Sequence, residues 1–158
     1  MVEGLGAAQF AMDGAVDRLR AAVTAGERAE GHRDPSALVL AAADPANAYG
    51  AALPWPEPPP GATHKPGRKA GSLVVLVDGG LTLYVERGGR TLLAWSASPE
   101  DPALRTAVAA LADAARAGTL GPVTVERANG APALTSPLAP ALETAGFHAT
   151  PKGLRIRP

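Results

Sequence analysis

Residues 73–95 read LVVLVDGGLTLYVERGGRTLLAW, and few arrangements accommodate that string. Leu73–Val77 is an unbroken Leu/Val run, the pattern of a strand covered on both faces. Asp78-Gly79-Gly80 is a strong hairpin signal, because Asp and Gly tolerate the positive φ that a tight turn between strands demands. Leu81, Leu83 and Val85 then alternate with Thr82, Tyr84 and Glu86, which predicts one buried face and one mixed face. Gly88-Gly89 makes a second turn, and residues 90–95 return. The prediction is a three-stranded antiparallel meander.

The flanking sequence sets what that meander packs with. Ahead of it, PWPEPPPGATHKPGRK holds six prolines, so neither a helix nor a ladder runs through it and an extended connector is expected over residues 54–70. Behind it, Ser98 or Asp101 can cap a helix with proline in its first turn, and Leu104, Val108, Leu111 and Ala115 form its apolar stripe up to Gly118. Val123 and Val125 predict a strand closed by Asn129-Gly130. Ser136-Pro137 starts a short helix ending at Gly146. Residues 147–149 and 154–157 predict a last hairpin around Pro151-Lys152-Gly153. From residue 71 the expected order is βββαβαββ. Upstream, VEGLGAAQF predicts a short strand or wing, Asp13 caps a helix through about Ala25 with Val16, Leu19, Arg20 and Val23 on one stripe, and the charged segment after it reads as a loop. Leu38 to Leu40 begins either a strand or a helix, and local signals leave the choice open.

Composition bounds the chemistry. The 158 residues include no cysteine, which excludes disulfides, thiolate metal sites and cysteine nucleophiles together. No phosphate-binding GxxxxGK[ST] loop, HExxH or GxSxG is present, and GLGAAQ at Gly4 is too incomplete to count as a dinucleotide fingerprint. Asp78, Glu86 and Glu126 lie on or beside strands as expected partners of Arg87, Arg90 and Arg127, and no catalytic residue is assigned. The zero net charge conceals an asymmetry: residues 1–60 carry four arginines against eight acids, while residues 61–158 carry eleven basic residues against seven acids. Two basic clusters stand in the second part, Lys65, Arg68 and Lys69 beside His64 ahead of the first strand, and Lys152, Arg155 and Arg157 in the tail. If the last hairpin pairs near the first strand, the clusters meet on one edge and neutralise phosphates; otherwise they blunt exposed strand edges. Trp55 and Trp95 are candidates for base stacking, Trp95 more readily for the core. With no apolar run of membrane-spanning length and acidic Glu3 near the N-terminus, a cytoplasmic protein without a membrane partner is expected.

VEGLGAAQFAMDGAVDRLR, LVLAAADPANAYGAALPWPE, GRKAGSLVVLVDGGLTLYVERGGRTLLAW and SPLAPALETAGFHATPKGLRIR resemble, in order, successive blocks at the extreme C-terminus of the Lhr (large helicase-related) family of bacterial DNA-repair helicases. The resemblance covers the chain apart from residues 25–36. It implies an ATP-dependent, strand-separating DEAD/DEAH-box parent protein with two RecA-like domains and an array of winged helices ending in a β-barrel-like module. The fold expected here is therefore α+β: a remnant of the last winged helix over residues 1–53, a Pro-rich basic linker over 54–70, and an antiparallel β meander or partial barrel with two packed helices over 71–158. The chain carries no motor motif, so ATP and magnesium belong to the parent and no cofactor is expected in this chain. A fragment, split gene or truncated frame is the corresponding expectation. The implied partners are DNA, an RNA–DNA hybrid, and either the remainder of the helicase or other copies of this region. Two rival expectations are an oligomerisation or docking surface formed by Tyr84 and Leu92 on an exposed apolar face, and a share in a winged-helix uracil-DNA glycosylase with Asp44, Asp78 or Glu86 as the carboxylate.

Overall fold

The computed structural model describes residues 12–29, 35–96 and 98–157. They fall into two compact units, residues 1–34 and residues 35–158. In the first, helix α1 spans Ala15–Ala29 and follows Gly14, whose φ of 76° starts it one residue later than an Asp13 cap would. It also runs past the expected end at Ala25, since Glu27, Arg28 and Ala29 all favour helix. Val16, Leu19 and Val23 of the predicted stripe are exposed. The strand predicted at the N-terminus lies outside the described residues.

The second unit is built on the predicted meander. Strands β1 (Ala37–Ala41), β2 (Leu73–Val77), β3 (Gly80–Val85) and β4 (Thr91–Ala94) are successive antiparallel neighbours in a six-stranded sheet. Asp78 and Gly79 have φ of 49° and 85°, the doubly left-handed turn that matches strand twist. Between Val75 and Leu76 the register slips, so that Leu76 opposes Leu81 while Val75 opposes Leu83. The extra residue, Thr82, sends Leu81 to the opposite face from Leu83 and Val85, against the simple alternation read from sequence. The mixed face is in fact covered too: Tyr84 is fully buried. Beyond β4 the sheet continues through two two-residue strands, β6 (Arg127–Ala128), parallel to β4, and β7 (Ala131–Pro132). Asn129 secures that junction, accepting from Ala94 N at 2.8 Å and donating to Ala94 O at 3.0 Å as a neighbouring backbone would.

Helix α2 (Pro102–Arg116) starts where Asp101 Oδ1 accepts from Ala103 N at 2.8 Å, with Pro102 supplying the helical φ. It buries Leu104, Val108 and Leu111 with three alanines against one face of the large sheet. Each such Leu or Val contributes about 1.5–3 kcal/mol by leaving water. Strands β5 (Val123–Val125), β8 (His148–Thr150) and β9 (Gly153–Ile156) form a second sheet in the order β5-β9-β8, closed onto the same core by the six-residue helix α3 (Ala139–Thr144).

Residues 35–70 depart most from the sequence expectation. Residues 35–53, assigned there to the first module, belong to the sheet unit because β1 pairs along its whole length with β2. The Pro-rich segment is a packed strap: Pro59 is buried, and Trp55, Ala62, Tyr49 and Trp95 cover the small cluster of Val74, Leu76, Leu81, Tyr84 and Leu93 on the far side of the sheet. Proline denies the strap a ladder but not apolar contact, and Trp95 Nε1 donates to Glu57 O at 2.8 Å.

Candidate nucleic-acid interface

The two basic clusters have different fates. Arg68 is half-buried, and its guanidinium donates from Nη1 to the carbonyls of Asn47 (2.7 Å) and Tyr49 (3.4 Å) and from Nη2 to those of Ala43 (3.0 Å) and Asp44 (3.1 Å). It clamps the loop after β1 and has little left for a phosphate. Lys69 Nζ stands 3.4 Å from Glu86 Oε1, so its charge is half answered. Lys65 alone of this cluster is exposed with no ion pair among the described residues. His64 packs beside Tyr84, ring centres 6.3 Å apart.

The tail cluster lies elsewhere. The hairpin of β8 and β9 pairs with β5 and not with β2, which is an interior strand between β1 and β3. The clusters therefore do not share a strand edge, and neither lies along an edge of the large sheet that it could blunt.

On the small sheet, Arg155 stands opposite Thr124 of β5 and His148 of β8. Leu154 and Ile156 point into the core, so Arg155 and Arg157 present the outer face with His148 and Thr150. A cleft of about 510 Å³ opens there, lined by Arg116, Gly146, His148, Thr150, Arg155 and Arg157, with Ile156 at its base. Arg116 comes from the last turn of α2. It donates to Asp113 Oδ1 at 2.9 Å and to the Ala145 carbonyl, and Gly146 lets it lie close, since a Cβ there would overlap Nη2. The Thr150 hydroxyl is engaged at the turn, donating to Gly153 O at 2.8 Å and accepting from Lys152 N at 3.3 Å. Lys152 is exposed on that turn, outside the cleft lining.

No carboxylate lines the cleft among the described residues. Its chemistry is that of an anion acceptor, with guanidinium and imidazole N–H groups converging from two strands and a helix end. Sequence reasoning named Arg155 and Arg157 but missed His148 and Arg116. The first was legible: two-residue spacing on either side of the Pro151-Lys152-Gly153 turn puts His148, Thr150, Arg155 and Arg157 on one face. Nothing local to α2 announces Arg116. The carboxylates weighed for glycosidic chemistry are all engaged away from the cleft: Asp44 Oδ1 accepts from Ala46 N, Asp78 Oδ1 from Ser36 N, and Glu86 faces Lys69. The apolar docking face does not exist as expected, because Tyr84 and Leu92 are both buried, on opposite sides of the sheet. Among the described residues no group of three or more His, Asp or Glu side chains could hold a metal ion, and no helix is long and apolar enough to cross a membrane.

Fold and cleft together define an α+β module, a six-stranded and a three-stranded sheet around one helix-covered core, with a cationic cleft that no carboxylate lines among the described residues. Over 165 residues the chain is 48% identical to the Lhr helicase/probable uracil glycosylase of Mycolicibacterium smegmatis, covering 99% of this chain and 10% of that protein. Over 153 residues it is 40% identical to the Lhr helicase/uracil glycosylase of Escherichia coli, covering 97% of this chain and 10% of that protein. The chain is a homologue of the C-terminal region of Lhr-type proteins, as the resemblance in its sequence implied, and spans about a tenth of the length of these relatives. No family model matches it.

Proposed function

We propose that this chain is a DNA-binding accessory module of an Lhr-type ATP-dependent helicase, serving DNA repair in the cytoplasm and contributing no motor of its own. The observation that supports it most is the near-complete alignment, at 48% and 40% identity, with two proteins named as helicases. The acid-free cationic cleft supports the same reading, because phosphate neutralisation dominates affinity for nucleic acid. Residues 1–34 are assigned on the resemblance to the end of the winged-helix array, and residues 35–158 to the terminal β module. Of the six basic residues read from sequence, Arg155 and Arg157 carry the contact, Lys152 and Lys65 supply outlying charge, and Arg68 and Lys69 serve the fold.

Titrating labelled single-stranded, duplex and RNA–DNA hybrid oligonucleotides at two salt concentrations tests this reading. Binding that weakens steeply with salt is expected, and absence of binding even at low salt sinks it.

The relatives' names also carry uracil glycosylase, which favours a second reading in which this module contributes to base excision. Since Asp44, Asp78 and Glu86 are held in structural contacts, its part there would be to grip the strand. Excision of uracil by the purified chain, lost on changing one of these three acids, would overturn that restriction.

A further inference from the structure

We propose that the cleft between the C-terminal end of α2 and the outer face of β8 and β9 is a seat for a single phosphate group. This deepens the DNA-binding reading by naming the group recognised and the side chains that hold it.

Three features separate the cleft from a merely basic surface. Its guanidiniums come from different elements: Arg116 from a helix end, Arg155 from the central strand of the small sheet and Arg157 just past that strand's end, with His148 on the neighbouring strand. The charge of Arg116 is answered in part by Asp113 Oδ1 at 2.9 Å, which leaves Arg155 and Arg157 as like charges with no anion among the lining residues. Second, Arg116 is fixed in place before any ligand arrives, by Asp113, by the Ala145 carbonyl and by a glycine whose φ of 96° leaves room for it. A guanidinium held in this way loses little freedom on binding. Third, Arg155 Nε is buried and has no hydrogen-bond partner among the described residues, and Arg155 lines the cleft. A desolvated N–H on a charged group is costly to leave unanswered, and a phosphate oxygen answers it with the parallel two-bond geometry that guanidinium favours. Thr150, whose hydroxyl is spent on the hairpin turn, shapes the site and donates nothing to the ligand.

The phosphate can come from the interior of a strand or from its end. The test follows the side-chain Nε–Hε resonance of Arg155 by NMR in the full chain while inorganic phosphate is added at constant ionic strength set with sodium chloride. The expected result is a saturable shift that weakens by about fivefold or more in Arg157→Gln, an exposed position, and is unchanged in Lys65→Gln. Absence of a shift, or a titration unaltered in Arg157→Gln, overturns the proposal. Oligonucleotides with a 5′-phosphate, a 3′-phosphate or hydroxyl ends then separate the sources: tighter binding of one phosphorylated end assigns a terminal phosphate, and equal binding assigns the backbone. Oligonucleotide binding without any phosphate response at Arg155 sinks the seat and leaves the DNA-binding reading standing. A phosphate response in a chain that binds no oligonucleotide does the reverse.

Discussion

Arg68 and Asn47 hold one loop from two sides. Arg68 Nη1 donates to the Asn47 carbonyl at 2.7 Å, while the buried Asn47 side chain donates to Ala42 O at 2.8 Å and accepts from Tyr49 N at 3.1 Å. Replacing Arg68 with Ala leaves four carbonyls short of a donor and should cost about 2–3 kcal/mol, with Arg68→Lys recovering little because a point charge cannot reproduce the fork. Urea denaturation measures the loss. Oligonucleotide affinity under folding conditions should be unchanged, an outcome that an interface role for Arg68 would contradict.

Gly146→Ala sets a side chain at φ 96° and displaces the Arg116 guanidinium from its place over the glycine. Since the tip of Arg116 can move, the cost is mainly backbone strain, about 1–2 kcal/mol. Thermal melting should fall accordingly, and phosphate binding in the cleft should weaken beyond what the stability loss explains.

Hydrogen bonds from the Ser96 side chain, then from the Ala103 backbone N–H, hold the Asp101 carboxyl below its ordinary value. A depressed folded-state value stabilises the protein fully above the unfolded one, about 3.9, and that contribution disappears as pH falls through the folded value. Stability measured from pH 6 to 2 should therefore decline more steeply in the native chain than in Asp101→Ala below about pH 4; parallel curves would show that the cap carries no linkage.

The boundary at residue 35 makes a prediction about truncation. A chain of residues 35–158 should unfold cooperatively, since β1 covers the edge of β2 and residues 49–62 cover Tyr84 and its neighbours. A chain of residues 71–158 loses both covers, and should bind hydrophobic dye and melt broadly in calorimetry.

The single phosphate held by Arg155, Arg157 and Arg116 should contribute about −0.7 to the slope of a plot of log affinity against log salt for single strands. In Arg155→Gln/Arg157→Gln the slope should fall towards zero. A slope that stays the same places the interface elsewhere.

Local pattern determined much of this molecule. The Leu/Val run, the Asp78-Gly79-Gly80 turn, the Asp101-Pro102 helix start and the Pro151-Lys152-Gly153 hairpin each declare an element through a backbone preference that acts within a few residues, and each forms as the sequence predicts. The tertiary structure decided what those preferences cannot reach. Leu38 to Leu40 became a strand because β2 offered it an open ladder, and the prolines of residues 54–70 became a strap because Tyr84 and Leu76 offered them an apolar face. Leu81 changed sides through a one-residue slip between neighbouring strands. The basic residues show the division most sharply. Charge is written in the sequence, but whether a guanidinium meets carbonyls, as Arg68 does, or faces an open cleft, as Arg155 and Arg157 do, depends on which distant segments fold against it. Those pairings are set by long-range packing and the hydrogen-bond needs of buried backbone, which no local run of residues encodes.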